Sequence, residues 1–196
     1  MKNPEADFTK PFLAQAERVL KAIYWPRIAR CLRLLSQEEI WWRPNAASNS
    51  AGNLVLHLNG NLRQWIVAGL GGASDTRQRV LEFQERGPIP RRALLARLRR
   101  TVGEACRVLA QLSASDLART YSIQGFQESG LAAVYHVTEH FSHHAGQIIL
   151  ATKLLRGKSL DFTHLPGEKK RRKKARGLPA TSFVATTLDM YSRLTW

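Results

Sequence analysis

Residues 131–156 read LAAVYHVTEHFSHHAGQIILATKLLR, and the phase of this stretch decides the fold. Each helical residue advances roughly 100° around the axis, so positions four apart share a face about 6 Å apart along it. On that construction Val134, Val137, Phe141, Ile148, Ala151 and Leu155 define an apolar face, and Thr138, Ser142, Lys153 and Arg156 set the polar pole. His140 and His144 project from the apolar face. His136 and Gln147 lie nearer its edge, with His143 further toward the boundary. Ser129 is placed to cap the start of this helix and Gly157 to stop it.

The same construction over residues 51–70 puts Leu54, Leu58, Leu62 and Trp65 on an apolar side and a solvent pole at Asn59 and Arg63. His57 points away from that pole, flanked by Asn53, Asn61 and Gln64. A narrow polar stripe therefore runs down a face that should be buried. Each buried imidazole or amide left without a partner costs roughly 1–3 kcal/mol, a sizeable part of a domain's marginal stability. A shared divalent cation would satisfy the ring nitrogens together.

A plainer reading stands beside each of these. A lone His57 is more often a core histidine bonded to a carbonyl. Two further histidines at i, i+4 on an inward face change that balance, because this is the spacing helical zinc sites use. The HExxH protease pattern is absent, since Phe141, Ser142 and His143 intervene, and general-base chemistry of that kind is not supported. Cys31 lies on the helical stripe of Ile28, Leu32 and Leu35 and reads as a small core residue rather than a nucleophile or ligand.

Working outward, Phe12, Ala16, Val19, Leu20 and Ile23 recur with helical spacing until Pro26, which predicts a first helix kinked or broken near Trp25. Ser36 and Glu39 have capping-box spacing and open a short helix carrying Trp41 and Trp42, read as a lid on the core. Residues 75–87 are charged and predict part helix, part loop. Leu94, Leu95, Leu98, Val102, Ala105, Leu109 and Leu112 mark a third long helix, with Arg92, Arg99 and Arg100 outward. Residues 113–130 read as a connection. Four long helices with apolar stripes predict an all-α bundle, an architecture in which metal sites are commonly built between facing helices.

Composition bounds the function classes. With 196 residues, 44% of them hydrophobic, the chain can form one core and offers no second. Cys31 and Cys106 form no CxxC or zinc-ribbon spacing, which speaks against a disulfide framework and for a reducing compartment. No signal-like leader or run of about 18 apolar residues occurs, so the expectation is a soluble, cytoplasmic protein without a membrane partner. The net charge of +15 tempts a nucleic-acid reading. Beyond residue 163, however, eight basic residues stand against Glu168 and Asp189, leaving +9 to the first 162 residues. The run Lys169, Lys170, Arg171, Arg172, Lys173, Lys174 and Arg176 is expected to be solvated and flexible, able to hold phosphates weakly and nonspecifically. The arginines of the third helix lack the interleaved aromatics of a single-strand binding groove.

Taken together, HVTEHFSHHAGQI at 136–148 and the upstream NLVLH at 53–57 resemble the DinB-like superfamily of damage-inducible bacterial proteins. The likeness runs from about Phe12 to Phe162. Within it, WWRP at 41–44, NLRQW at 61–65 and Glu82 with Phe83 look most like a branch named only as a domain of unknown function. The resemblance implies an up-and-down four-helix bundle with a short extra helix over residues 1–162, frequently dimeric, leaving 163–196 as a basic tail. It also implies a divalent ion held by His57, His140 and His144, with Zn or Ni expected first and Mn or Fe as alternatives. Asn61 and Gln147 are the expected supports behind those ligands. Related members resemble transferases or isomerases that use low-molecular-weight thiols, so the expected function is a thiol-dependent S-transferase or a hydrolase-like enzyme acting on a small-molecule substrate. The competing expectation is a non-enzymatic metal-binding or stress-related protein whose basic surface and tail bind nucleic acid or acidic partners.

Overall fold

The structure, a computed structural model, describes residues 7–162. The expected basic tail at 163–196 lies outside the described residues. Among the described residues, those up to Arg156 belong to one compact unit and those from Gly157 to another.

Helix α1 spans Thr9–Glu17 and α2 spans Trp25–Leu34, and the break expected near Trp25 is instead a wider, π-helical winding over Arg18–Tyr24. Pro26 stands at the start of α2, where its missing N–H costs least. A capping box of Ser36 and Glu39 opens α3, Gln37–Ile40, as expected. Trp41 then packs on backbone: a Cβ added to Gly52 would lie 2.8 Å from its ring, and one added to Gly87 2.6 Å.

Helix α4, Ala51–Leu62, opens on a capping box of Ser50 and Asn53 and continues as a second π-helical stretch, Arg63–Leu70. The solvent pole expected at Asn59 is wrong. Every residue of α4 except Gly60 is buried, and Asn59 accepts a 2.7 Å hydrogen bond from Thr101 of helix α6, Arg91–Leu109. A helix enclosed on all sides has no polar pole, so its polar side chains must find protein partners. Arg63 is only half-buried and pairs with Glu104 at 3.2 Å.

Between α4 and α6 the charged segment forms one short helix, α5, Arg79–Gln84. The connection read at 113–130 contains a helix α7, Ala114–Ala118, and an antiparallel hairpin of β1, Thr120–Ile123, with β2, Phe126–Ser129. Gln124 and Gly125 both take positive φ, 55° and 85°, as a two-residue hairpin turn demands. The protein is thus mostly helical with a small two-stranded sheet, which the all-α expectation did not include.

Helix α8, Gly130–Arg156, starts on the Ser129 hydroxyl, which accepts from Ala132 N at 3.1 Å. It buries Val134, Val137, Phe141, Ala145 and Ile148, of which each Val, Ile or Phe contributes about 1.5–3 kcal/mol of transferred apolar surface. The polar pole is narrower than the sequence suggests: Ser142 donates to the Tyr24 hydroxyl at 2.8 Å, and Arg156 pairs with Glu39. Helix α4 packs against α5, α6 and α8, while α8 also packs against α2. The two histidine-bearing helices are therefore direct neighbours. Among the described residues no helix is long and apolar enough to cross a membrane.

Candidate metal centre

Contact between α4 and α8 brings the rings of His57, His140 and His144 together, with one nitrogen from each inside a 4.8 Å envelope. His57 Nε2 lies 3.0 Å from His140 Nε2. The ring centroids stand 4.8 Å apart for His57 and His140, 5.0 Å for His57 and His144, and 4.5 Å for His140 and His144. Nitrogens bound to one tetrahedral zinc at about 2.05 Å stand roughly 3.3 Å apart, so the 3.0 Å spacing of His57 and His140 suits a shared ion, with His144 inside the 4.8 Å envelope as the third donor.

The donor chemistry fits as well. Burial pushes the His140 imidazole down to about 3, with the neighbouring His144 and His57 adding to the effect, so it stays neutral at ordinary pH. Burial lowers His144 too, against the opposing effect of the hydrogen bond its ring donates to Gln147. Neutral rings are what a cation requires. His140 differs from the other two rings in that its Nδ1 is buried without a hydrogen-bond partner, so ligation through Nε2 would leave its Nδ1 proton unmatched.

Two of the three rings have their outer nitrogen fixed. Gln147 Oε1, which can only accept, lies 2.6 Å from His144 Nδ1, so that nitrogen carries the proton and Nε2 keeps its lone pair. On His57, Nδ1 lies 2.8 Å from Glu82 Oε2. Burial acts to raise the Glu82 carboxyl, but hydrogen bonds and charge from Arg77 and His57 outweigh it and hold the group below the usual carboxylate range. Arg77 binds both Glu82 oxygens, Nε to Oε1 at 2.8 Å and Nη2 to Oε2 at 2.9 Å, and its Nη1 donates to Gln64 Oε1 at 2.8 Å.

Of the two supports expected behind the ligands, Gln147 bonds His144, whereas the Asn61 amide bonds His136 at 3.2 Å rather than one of the three. His136 is half-buried and lies beside the group, its ring 5.3 Å from His140 and 4.1 Å from Trp65. His143 is exposed and only flanks His144. Glu82, noted in the sequence only with Phe83 as a mark of the family branch, and Arg77, not noted at all, have a place at the site that sequence reasoning missed. They sit in a segment too short and too charged to show a period, and the signal that could have found them is the stripe of Asn53, His57 and Gln64 on α4, which required polar partners.

That stripe holds the clamp segment in place. Asn53 Nδ2 donates to the carbonyls of Glu82 and Glu85, each at 2.9 Å, and its Oδ1 accepts from Arg43 at 2.8 Å. A cavity of about 510 Å³ opens beyond the clamp, lined by Arg77 and Glu82 together with Arg63, Arg97 and Thr101. The three histidines do not line it, so the cavity lies behind the clamp rather than over the histidine group. Cys31 is buried, and burial raises its thiol, as suits a core residue.

Comparison with known proteins bears on the same region. A family model described as a protein of unknown function, DUF1572, matches residues 7–170. No curated protein matches. Among solved structures, the crystal structure of a DinB-like protein from Bacillus subtilis is similar, with a TM-score of 0.55 at 19% identity over 78% of this chain and 96% of that one. At that identity the likeness is one of fold.

Proposed function

This chain belongs to the DUF1572 family of proteins of unknown function, and from that footing we propose that it is a divalent-metal-dependent enzyme of the DinB-like type. In this reading residues 1–162 make an up-and-down four-helix bundle, residues 163–196 are a separate basic extension, and the protein works as a homodimer. His57, His140 and His144 are the ligands. The observation that carries the reading is the 3.0 Å approach of His57 Nε2 to His140 Nε2 with His144 beside them, three imidazoles converging from two helices.

Zn²⁺ or Ni²⁺ suits imidazole ligands best, with Mn²⁺ and Fe²⁺ next. Such an ion supplies Lewis acidity, lowering the pKa of a thiol or water at a position left open by three protein ligands. The chain's own part is positional. Gln147 and Glu82 hold the outer nitrogens of His144 and His57, and Phe83 packs 4.6 Å from the His57 ring, excluding water on that side. On the Trp65 side the Asn61–His136 pair offers hydrogen bonds to a bound substrate. The substrate class is a low-molecular-weight thiol joined to a small electrophile.

The test is consumption of such thiols with a model electrophile, using full-length protein stripped of metal and then reloaded with zinc or nickel. Turnover that requires the metal and disappears in His140→Ala supports the enzyme. Equal rates in stripped, reloaded and variant protein overturn it and leave a non-enzymatic metal-binding role.

A further inference from the structure

We propose that the buried Arg77–Glu82 pair is a positioning device for His57: it selects the imidazole tautomer whose Nε2 lone pair faces His140 and His144, and Gly60 is the gap that admits it. This rests on the metal reading for its purpose, but not for its physical basis.

His57 Nδ1 has two neighbours of opposite character. Glu82 Oε2 lies 2.8 Å away and can only accept, whereas Arg77 Nη2 lies 3.1 Å away and can only donate. If Nδ1 accepted from Arg77, the ring proton would sit on Nε2, pointed at His140, and no lone pair would remain there. If Nδ1 donates to Glu82, Nε2 is free. The carboxylate wins on distance and on charge, because a buried anionic oxygen holds the Nδ1 proton more strongly than one further N–H of a guanidinium that already donates to both Glu82 oxygens and to Gln64 holds its lone pair. The decision is taken out of water: the side chains of His57, Glu82 and Arg77 are 6%, 10% and 4% exposed. Little solvent is present to stabilise the other tautomer, and fixing the far nitrogen is how protein environments orient metal-ligating histidines.

Space for the pair is written into α4. A Cβ on Gly60 would run into Glu82 Oε1 and come within 2.9 Å of Arg77 Nε. Asn53, His57, Gly60 and Gln64, at spacings of four, three and four, form one helical stripe that receives residues 77–85: an amide on the Glu82 and Glu85 carbonyls, the ring on the carboxylate, a gap for the ion pair and a second amide on Arg77. Glycine is a poor helix former compared with alanine, so a reason for its place in this helix is required.

Two measurements on the full-length chain test this. In metal-free protein, nitrogen-15 NMR of the imidazoles reads the tautomer directly. Wild type should show His57 protonated on Nδ1, and Glu82→Gln, which keeps the size but not the charge, should shift the proton toward Nε2. Cobalt titration followed by its visible absorption should then show binding weakened on the order of 10- to 100-fold in Glu82→Gln and in Gly60→Ala, the size expected when a ligand loses its outer partner. Glu104→Gln, which removes the separate ion pair between α6 and Arg63 just beyond the end of α4, should leave both readouts unchanged. A wild-type His57 protonated on Nε2 overturns the proposal. So does an unchanged tautomer in Glu82→Gln, whatever that variant does to stability, because a merely structural ion pair would not set the ring proton. If wild type fails to bind cobalt while the tautomer shifts as stated, the positioning role stands and the metal reading falls.

Discussion

His57 and Glu82 stand 2.8 Å apart across 25 residues of sequence, a buried imidazole nitrogen against a buried carboxylate oxygen. On the other side of the same ring, Nε2 faces His140 at 3.0 Å. One side chain therefore joins a charged network behind α4 to a neutral cluster in front of it. The junction depends on a six-residue helix, α5, that has no core of its own beyond Glu82.

Asn53 is what holds that short helix in register. Asn53→Ala removes the reciprocal half of the α4 capping box and two hydrogen bonds to the carbonyls of Glu82 and Glu85. A loss of about 2–4 kcal/mol is expected from the cap and the stranded acceptors, with weaker metal binding although no ligand has changed. Denaturant unfolding and cobalt titration check the two effects, and a change below about 0.5 kcal/mol would show that α5 is held by other means.

Cys106 gives a pH signature in the core. Burial, with Glu17 adding, pushes its thiol up to about 11 from an ordinary value of 9.0. The folded chain holds this proton more tightly than the unfolded one, so the contribution is fully present below pH 9.0 and is lost as pH rises toward about 11. The stability advantage of wild type over Cys106→Ala should shrink by on the order of 2 kcal/mol across that window. A constant difference in urea midpoints from pH 8 to pH 11 would contradict this.

Residues 169–176 should confer weak, sequence-independent binding to DNA or RNA. Their seven basic side chains allow a slope of log affinity against log salt no steeper than about −6 on duplex DNA. Replacing those seven with glutamine should abolish the binding. Binding that survives the replacement would point to the exposed arginines of α6.

The parts of this architecture that could be read in the sequence are those governed by a long, uniform period. His140 and His144 fall where the 100° construction puts them because α8 is regular over its length, and the boxes of Ser36 with Glu39 and the cap at Ser129 follow from local chemistry. Asn59 failed because phase shows only which residues share a face, not whether another helix covers it; α6 does. The π-helical stretches Arg18–Tyr24 and Arg63–Leu70 change the winding without changing which residues are apolar, so they leave no mark in a hydrophobic pattern. The hairpin strands, four residues each, are too short for alternation to show. The clamp escaped for a different reason: Asn53, His57 and Gln64 announced unmet polar needs on a buried face, and part of that need is met by Glu82, Glu85 and Arg77 rather than by a cation.

The most direct test of the central claim is calorimetric titration of metal-stripped, full-length protein with zinc, beside His57→Ala, His140→Ala and His144→Ala. One ion per chain in wild type, with affinity falling at least 100-fold in each variant, is the expected result. Zinc binding that persists at wild-type affinity in all three would contradict it, because the rings that meet between α4 and α8 would then not be its ligands.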